Sequence, residues 1–98
     1  MNNDIFNTKE AREFFKAVLS LKNAEECESF FRDVCTIKEV KEMSARFKIA
    51  HMLSAVKPKS YAEIAKEVKT STATVTRVAH WLHHGAGGYR LALKRITR

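Results

Sequence analysis

The stretch Ser60–Leu82, SYAEIAKEVKTSTATVTRVAHWL, reads as two short helices joined by a tight turn. Ser60 can accept a hydrogen bond from the backbone of Glu63, whose carboxylate can reach back to Ser60. That is a capping box and it opens the first helix. Ala62, Ile64, Ala65 and Val68 give this helix one apolar side. Lys69 and Thr70 fill the turn, where a glycine with positive φ is the common choice. Ser71 then caps a second helix in which Val75, Val78, Ala79 and Leu82 recur at helical spacing.

Two helices that cross steeply need a small residue where they touch, and Ala65 supplies it. Ser71, Thr72, Ala73, Thr76, Arg77 and His80 remain outward on the second helix. Short, polar and cationic side chains suit a helix that enters a DNA major groove. The pattern predicts a DNA-binding helix-turn-helix. A plain helical hairpin or a surface for protein contacts is the alternative.

Charge follows the motif. Residues 1–56 hold nine Lys/Arg and nine Asp/Glu, whereas residues 57–98 hold nine Lys/Arg against Glu63 and Glu67 alone. The whole formal excess of +7 therefore lies in the half that carries the motif. A polyanion is the natural partner of such a face. A solvated basic tail would show the same charge but not its coincidence with a helix-turn-helix.

Pro58 is the one proline and the three glycines cluster between Gly85 and Gly88. Helices are thus interrupted in few places, which predicts an all-α chain of about six helices. Residues 1–98 read as one domain. Residues 1–56 are expected to form a helical dimerisation part, 60–82 the helix-turn-helix and 89–97 a C-terminal helix.

Met1 to Phe6 is expected to be a frayed arm. Asn7 with Glu10 and Asn23 with Glu26 open the first and second helices, which run to about Lys22 and Val34. Their stripes are Ala11, Phe14, Phe15 and Val18, and Cys27, Phe30, Phe31 and Val34. Thr36 and Glu39 open a long third helix to about Val56. Its apolar residues fall into two strips, Ile37, Val40, Met43, Phe47 and Ala50, and Ile49, Met52, Leu53 and Val56. A helix apolar on two sides needs two surfaces to pack against, and a second subunit can be one of them. His83 to Gly88 reads as a flexible break with glycine C-cap signals. Tyr89, Leu93 and Ile96 mark one candidate stripe of the last helix, with Leu91 and Ala92 competing.

Cys27 and Cys35 are expected to be reduced and buried, in a cytoplasmic protein without a signal peptide or membrane span. His80, His83 and His84 have metal-compatible spacing, but their simpler reading is as donors at the DNA-facing end, so no metal site is expected. No cofactor and no catalytic arrangement are expected, and the chain does not read as an enzyme.

Two pieces of the sequence, Thr70–Arg77 (TSTATVTR) and Cys35–Arg46 (CTIKEVKEMSAR), resemble the Trp repressor superfamily. The likeness is greatest to its branch of small YerC/YecD-type proteins and runs from about Val34 to Leu93. That family shows a similar Ala-Thr-Ile-Thr-Arg run, a Thr that caps the long helix and an Arg one helical stretch later. The order and nearly the spacing are kept, with one residue extra before Ser60.

The resemblance implies an intertwined homodimer whose first three helices build a shared core. It also implies a sequence-specific transcriptional regulator of double-stranded DNA, most simply a repressor. Ser71, Thr72, Ala73, Thr76 and His80 would approach base edges, while Lys57, Lys59, Lys69 and Arg77 would hold phosphates. Base contacts through water suit such short side chains, as in the Trp repressor–operator complex. A protein-interaction module using the same basic surface, or a non-specific nucleic-acid binder, are the competing readings.

The resemblance carries over an effector pocket as well. Arg46 and Arg77 match the arginines that sandwich an indole ring, and Thr36 and Thr74 match polar contacts. Val78 stands where that pocket has Gly, and Trp81 where it has Ser. The pocket therefore reads as vestigial, filled by Trp81 or its neighbours, with tryptophan not expected as effector. Arg77 serves either as pocket wall or as DNA contact, with the DNA role preferred.

Overall fold

The computed structural model describes residues 4–97 and, among them, six α-helices and no strand. They are α1 (Lys9–Leu19), α2 (Ala24–Val34), α3 (Ile37–Leu53), α4 (Tyr61–Val68), α5 (Thr72–His84) and α6 (Gly88–Ile96), preceded by one 3-10 turn, Ile5–Asn7. The chain divides into two compact units, residues 1–37 and 38–98.

In the first unit the start of α1 differs from the expected pattern. Thr8, not Asn7, is the N-cap, and its hydroxyl accepts from the Ala11 amide at 3.1 Å. The Thr8 hydroxyl also donates to the Ile5 carbonyl, so the 3-10 turn and the cap share one side chain. Ile5–Phe6 thus belongs to a turn, not to a frayed arm, and Phe6 stacks on Phe15. Met1–Asn3 lie outside the described residues.

α1 stops at Leu19 rather than near Lys22, because the Ser20 hydroxyl donates to the Ala17 carbonyl and closes the last turn. α2 begins as expected: Asn23 accepts from the Glu26 amide at 2.9 Å. The Glu26 carboxylate accepts from Lys22 N, one residue before the cap. Phe14, Phe15, Phe30 and Phe31 form a chain of ring contacts, yet no described residue of α1 or α2 is fully buried. Cys27 is exposed and Cys35 half-buried at the end of α2, against the expectation of buried thiols.

The second unit has a true core. Ile49 and Ala50 of α3, Ile64 and Ala65 of α4, Val75, Val78 and Leu82 of α5 and Leu93 of α6 are buried together. Phe47, Met52, Leu53, Val68 and Tyr89 pack around them. At roughly 1.5–3 kcal/mol per fully buried aliphatic side chain, this cluster is what holds α5 in place.

α3 ends at Leu53 instead of Val56. Ser54 turns its hydroxyl back to the Ala50 carbonyl, and Val56 is 100% exposed, so Val56 leaves the predicted apolar strip. Ala62 of α4 is exposed as well. In the first half of α3, Ile37, Val40 and Met43 are exposed, with Ile37 at 80%. On α6, Leu93 is buried and Tyr89 half-buried, whereas Ile96 and Leu91 are exposed. The break between α5 and α6 is short. Gly85 ends α5 in an extended conformation, and Gly87, at φ +85°, precedes α6. A Cβ on Gly85 would run into the Trp81 carbonyl oxygen.

Candidate nucleic-acid interface

The capping box of α4 is complete: Ser60 Oγ accepts from the Glu63 amide, and Glu63 Oε1 accepts from the Ser60 amide. The two Ser60 bonds hold the Glu63 carboxyl below the ordinary glutamate range, the backbone bond foremost.

Lys69 follows α4 with φ 63° and ψ 52°, the one non-glycine residue in the left-handed region among those described. Its amide reaches the Lys66 carbonyl, and the Thr70 amide reaches Ala65 O at 2.9 Å. This pair of bonds is a Schellman closure. A lysine here meets its own carbonyl sterically, at a cost of about 1–2 kcal/mol that glycine avoids. In return the motif carries a cation at the turn.

Ser71 then caps α5, accepting from the Thr74 amide at 3.1 Å and sharing a hydroxyl contact with Thr74 Oγ1. Val75, Val78, Ala79 and Leu82 are buried, which fixes the opposite face outward. Ser71, Thr72, Ala73, Thr76, Arg77 and His80 are all exposed, as are Lys57, Lys59 and Lys69. The Thr76 hydroxyl donates to the Thr72 carbonyl at 3.0 Å. Thr76 therefore presents its methyl group and oxygen lone pairs, not a donor.

Lys59 is engaged elsewhere. Its ammonium lies 2.6 Å from Glu67 Oε1. That bond raises the Lys59 pKa and lowers the Glu67 pKa. Both acids of this half thus have local partners, and no Asp or Glu occurs in α5 or α6.

The residues read as an effector pocket have varied placements. Thr36 and Arg46 are exposed, and Thr74 is half-buried with its hydroxyl toward Ser71. Val78 packs into the core. Trp81, 58% exposed, lies edge-on to His80 with centroids 4.9 Å apart, so its indole sits on the surface of the single chain.

One residue has no signal in the helical pattern. Arg90 of α6 donates through Nε to the Leu82 carbonyl at 2.9 Å, and its second nitrogen lies 3.3 Å from His83 Nδ1. A cation on a terminal carbonyl complements the negative end of the α5 dipole. Its partners are seven and eight residues away across the glycine break, beyond helical periodicity.

A short capped helix, a Schellman turn and a second capped helix with an outward face of small, polar and cationic residues define a helix-turn-helix protein. The chain belongs to the Trp repressor protein family, whose profile matches residues 9–97. That family is a regulator family, not an enzyme family. A relative in Bacillus subtilis strain 168, the uncharacterized protein YerC, is 40% identical over 96 residues, covering 98% of this chain and 90% of YerC. The crystal structure of a TrpR-like protein from Eubacterium eligens superposes with a TM-score of 0.90 at 39% identity, over 97% of this chain and 96% of that one. A solved protein from Staphylococcus aureus gives a TM-score of 0.88 at 36% identity, over 99% and 95%. Among the described residues no helix is long and apolar enough to cross a membrane.

Proposed function

We propose that this chain is a homodimeric, sequence-specific DNA-binding regulator, a cytoplasmic repressor working on a palindromic site. The observation that carries the reading is the exposed, acid-free outer face of α5, set between a cationic left-handed turn and a buried Val75–Val78–Leu82 side. Two such helices would enter successive major grooves about 34 Å apart. Ser71, Thr72, Ala73, Thr76 and His80 approach base edges, and Lys57, Lys69 and Arg77 hold phosphates. Lys59 joins them by exchanging Glu67 for a phosphate oxygen.

Dimerisation is supported by the apolar surface left open on the chain. The phenylalanines of α1 and α2 lack full burial, and Ile37, Val40 and Met43 of α3 are exposed. A second copy that covers these faces gives residues 1–56 their role and makes residues 1–98 one functional domain. Tryptophan is not the effector in this reading, because Val78 brings a branched side chain to the position the pocket keeps small.

Selection of bound duplexes from a random library at about 150 mM salt tests this, since the non-specific electrostatic part is already weakened there. An enriched palindrome with half-sites one helical turn apart is expected. Retention without enrichment would reduce the reading to charge-driven binding. No retention would turn it toward an acidic protein partner.

A further inference from the structure

The last two turns of α5 hold three histidines, and their rings are not equivalent. His80 and His84 stand four residues apart on one exposed face, with ring centroids 5.2 Å apart and planes at 45°. His83 and His84 are 6.4 Å apart, and His83 has another partner. Arginine only donates, so the Arg90 contact makes His83 Nδ1 an acceptor and aligns that ring with α6.

An ion held tetrahedrally by two imidazole nitrogens at about 2.0–2.1 Å places the ring centroids roughly 5 Å apart. The His80–His84 separation meets this distance and the His83–His84 separation exceeds it. Two histidines at i and i+4 on one helix face are also the spacing at which helices chelate zinc.

We propose that His80 and His84 form a two-imidazole chelate for a divalent transition-metal ion on the outer face of α5. The ion's other positions are open to water, since no group of three His, Cys, Asp or Glu able to hold a metal occurs among the described residues. Imidazole ligands favour nickel, copper and zinc over the oxygen-seeking magnesium. His80 is also set toward base edges in the proposed function, so the chelate is a property of the DNA-free chain, and its test does not depend on DNA binding.

Trp81 is the chain's one tryptophan and its ring is 4.9 Å from that of His80, so it reports on the site directly. Titration of the full chain with Ni(II), read by Trp81 fluorescence at neutral pH, is expected to give saturable quenching that excess chelator reverses and Mg(II) does not reproduce. His80→Gln and His84→Gln should each weaken the apparent affinity about tenfold or more, whereas His83→Gln and His51→Gln should leave it unchanged. His80 and His84 are exposed, so the folded state of each variant, checked by circular dichroism, should be unaltered. Non-saturable quenching of the parent chain, or full affinity in either His80→Gln or His84→Gln, would overturn the chelate. An equal loss in His83→Gln would overturn the choice of pair.

Discussion

The Arg90 guanidinium donates to the Leu82 carbonyl oxygen at 2.9 Å, which ties α6 to the last turn of α5. A hydrogen bond from a charged donor typically contributes about 1.5–3 kcal/mol. Part of that is screened here, because Arg90 is an exposed residue. Arg90→Met should therefore cost about 1 kcal/mol and lower Tm by roughly 4–8 °C. Urea unfolding measures it, and an unchanged midpoint would mean that the bond does not contribute.

Lys69 has two separable roles. Lys69→Gly should raise stability by up to about 1 kcal/mol, by removing a side chain from a left-handed position. Both Lys69→Gly and Lys69→Ala should weaken DNA binding on all sequences alike and lower the salt slope by about one unit. Loss on one operator alone would contradict the phosphate role.

Thr76 offers a methyl group and lone pairs but no free hydroxyl proton, given its bond to the Thr72 carbonyl. Thr76→Ala should shift the preferred base at one position of each half-site, by removing the one acceptor oxygen that Thr76 offers. Duplex selection with the variant checks this, and an unaltered preference would remove Thr76 from the base-reading set.

Val75 of α5 is fully buried. Val75→Asp would place an unpaired carboxylate among Ile49, Ile64 and Leu82, a cost of several kcal/mol against a stability of similar size. Loss of cooperative melting is expected. Normal melting would mean that the register of α5 is different.

The acid limb of stability should run through α4. The Glu63 and Glu67 pKa values lie below the ordinary glutamate value, Glu63 through its Ser60 bonds and Glu67 through Lys59. The unfolded chain therefore takes up protons first as pH falls. This stability is present above about pH 4.3 and is lost as pH drops through the lower folded values. The raised Lys59 pKa works in the opposite sense: its stability is present below the ordinary lysine value and fades as pH rises through the folded one. The double variant Glu63→Gln, Glu67→Gln should flatten the acid limb in melts between about pH 5 and pH 3.

Much of the second unit was legible in the sequence because its signals are local. The Ser60–Glu63 box and the Ser71 cap act over three residues, and the Val75–Val78–Leu82 side follows from a 3.6-residue period. The boundaries that moved are places where a neighbouring side chain offered the backbone another partner. Thr8 displaced Asn7 as cap, and the Ser54 hydroxyl turned to Ala50 beside the early end of α3. Competing local bonds of equal chemistry cannot be ranked from residue type alone.

The order of the six helices, the turn, the charge asymmetry and the apolar face of α5 were all readable from the residues, while the ends of α1 and α3 were not. The former depend on periodicity and composition, which tertiary contacts do not alter. The folded chain settled that Arg90 closes the end of α5, that Glu67 occupies Lys59, that the Thr76 hydroxyl proton goes to the Thr72 carbonyl and that the His80 and His84 ring centroids stand 5.2 Å apart. Each of these turns on the ångström-scale placement of a side chain that has several rotamers, and spacing along a chain selects a helix face but not a rotamer.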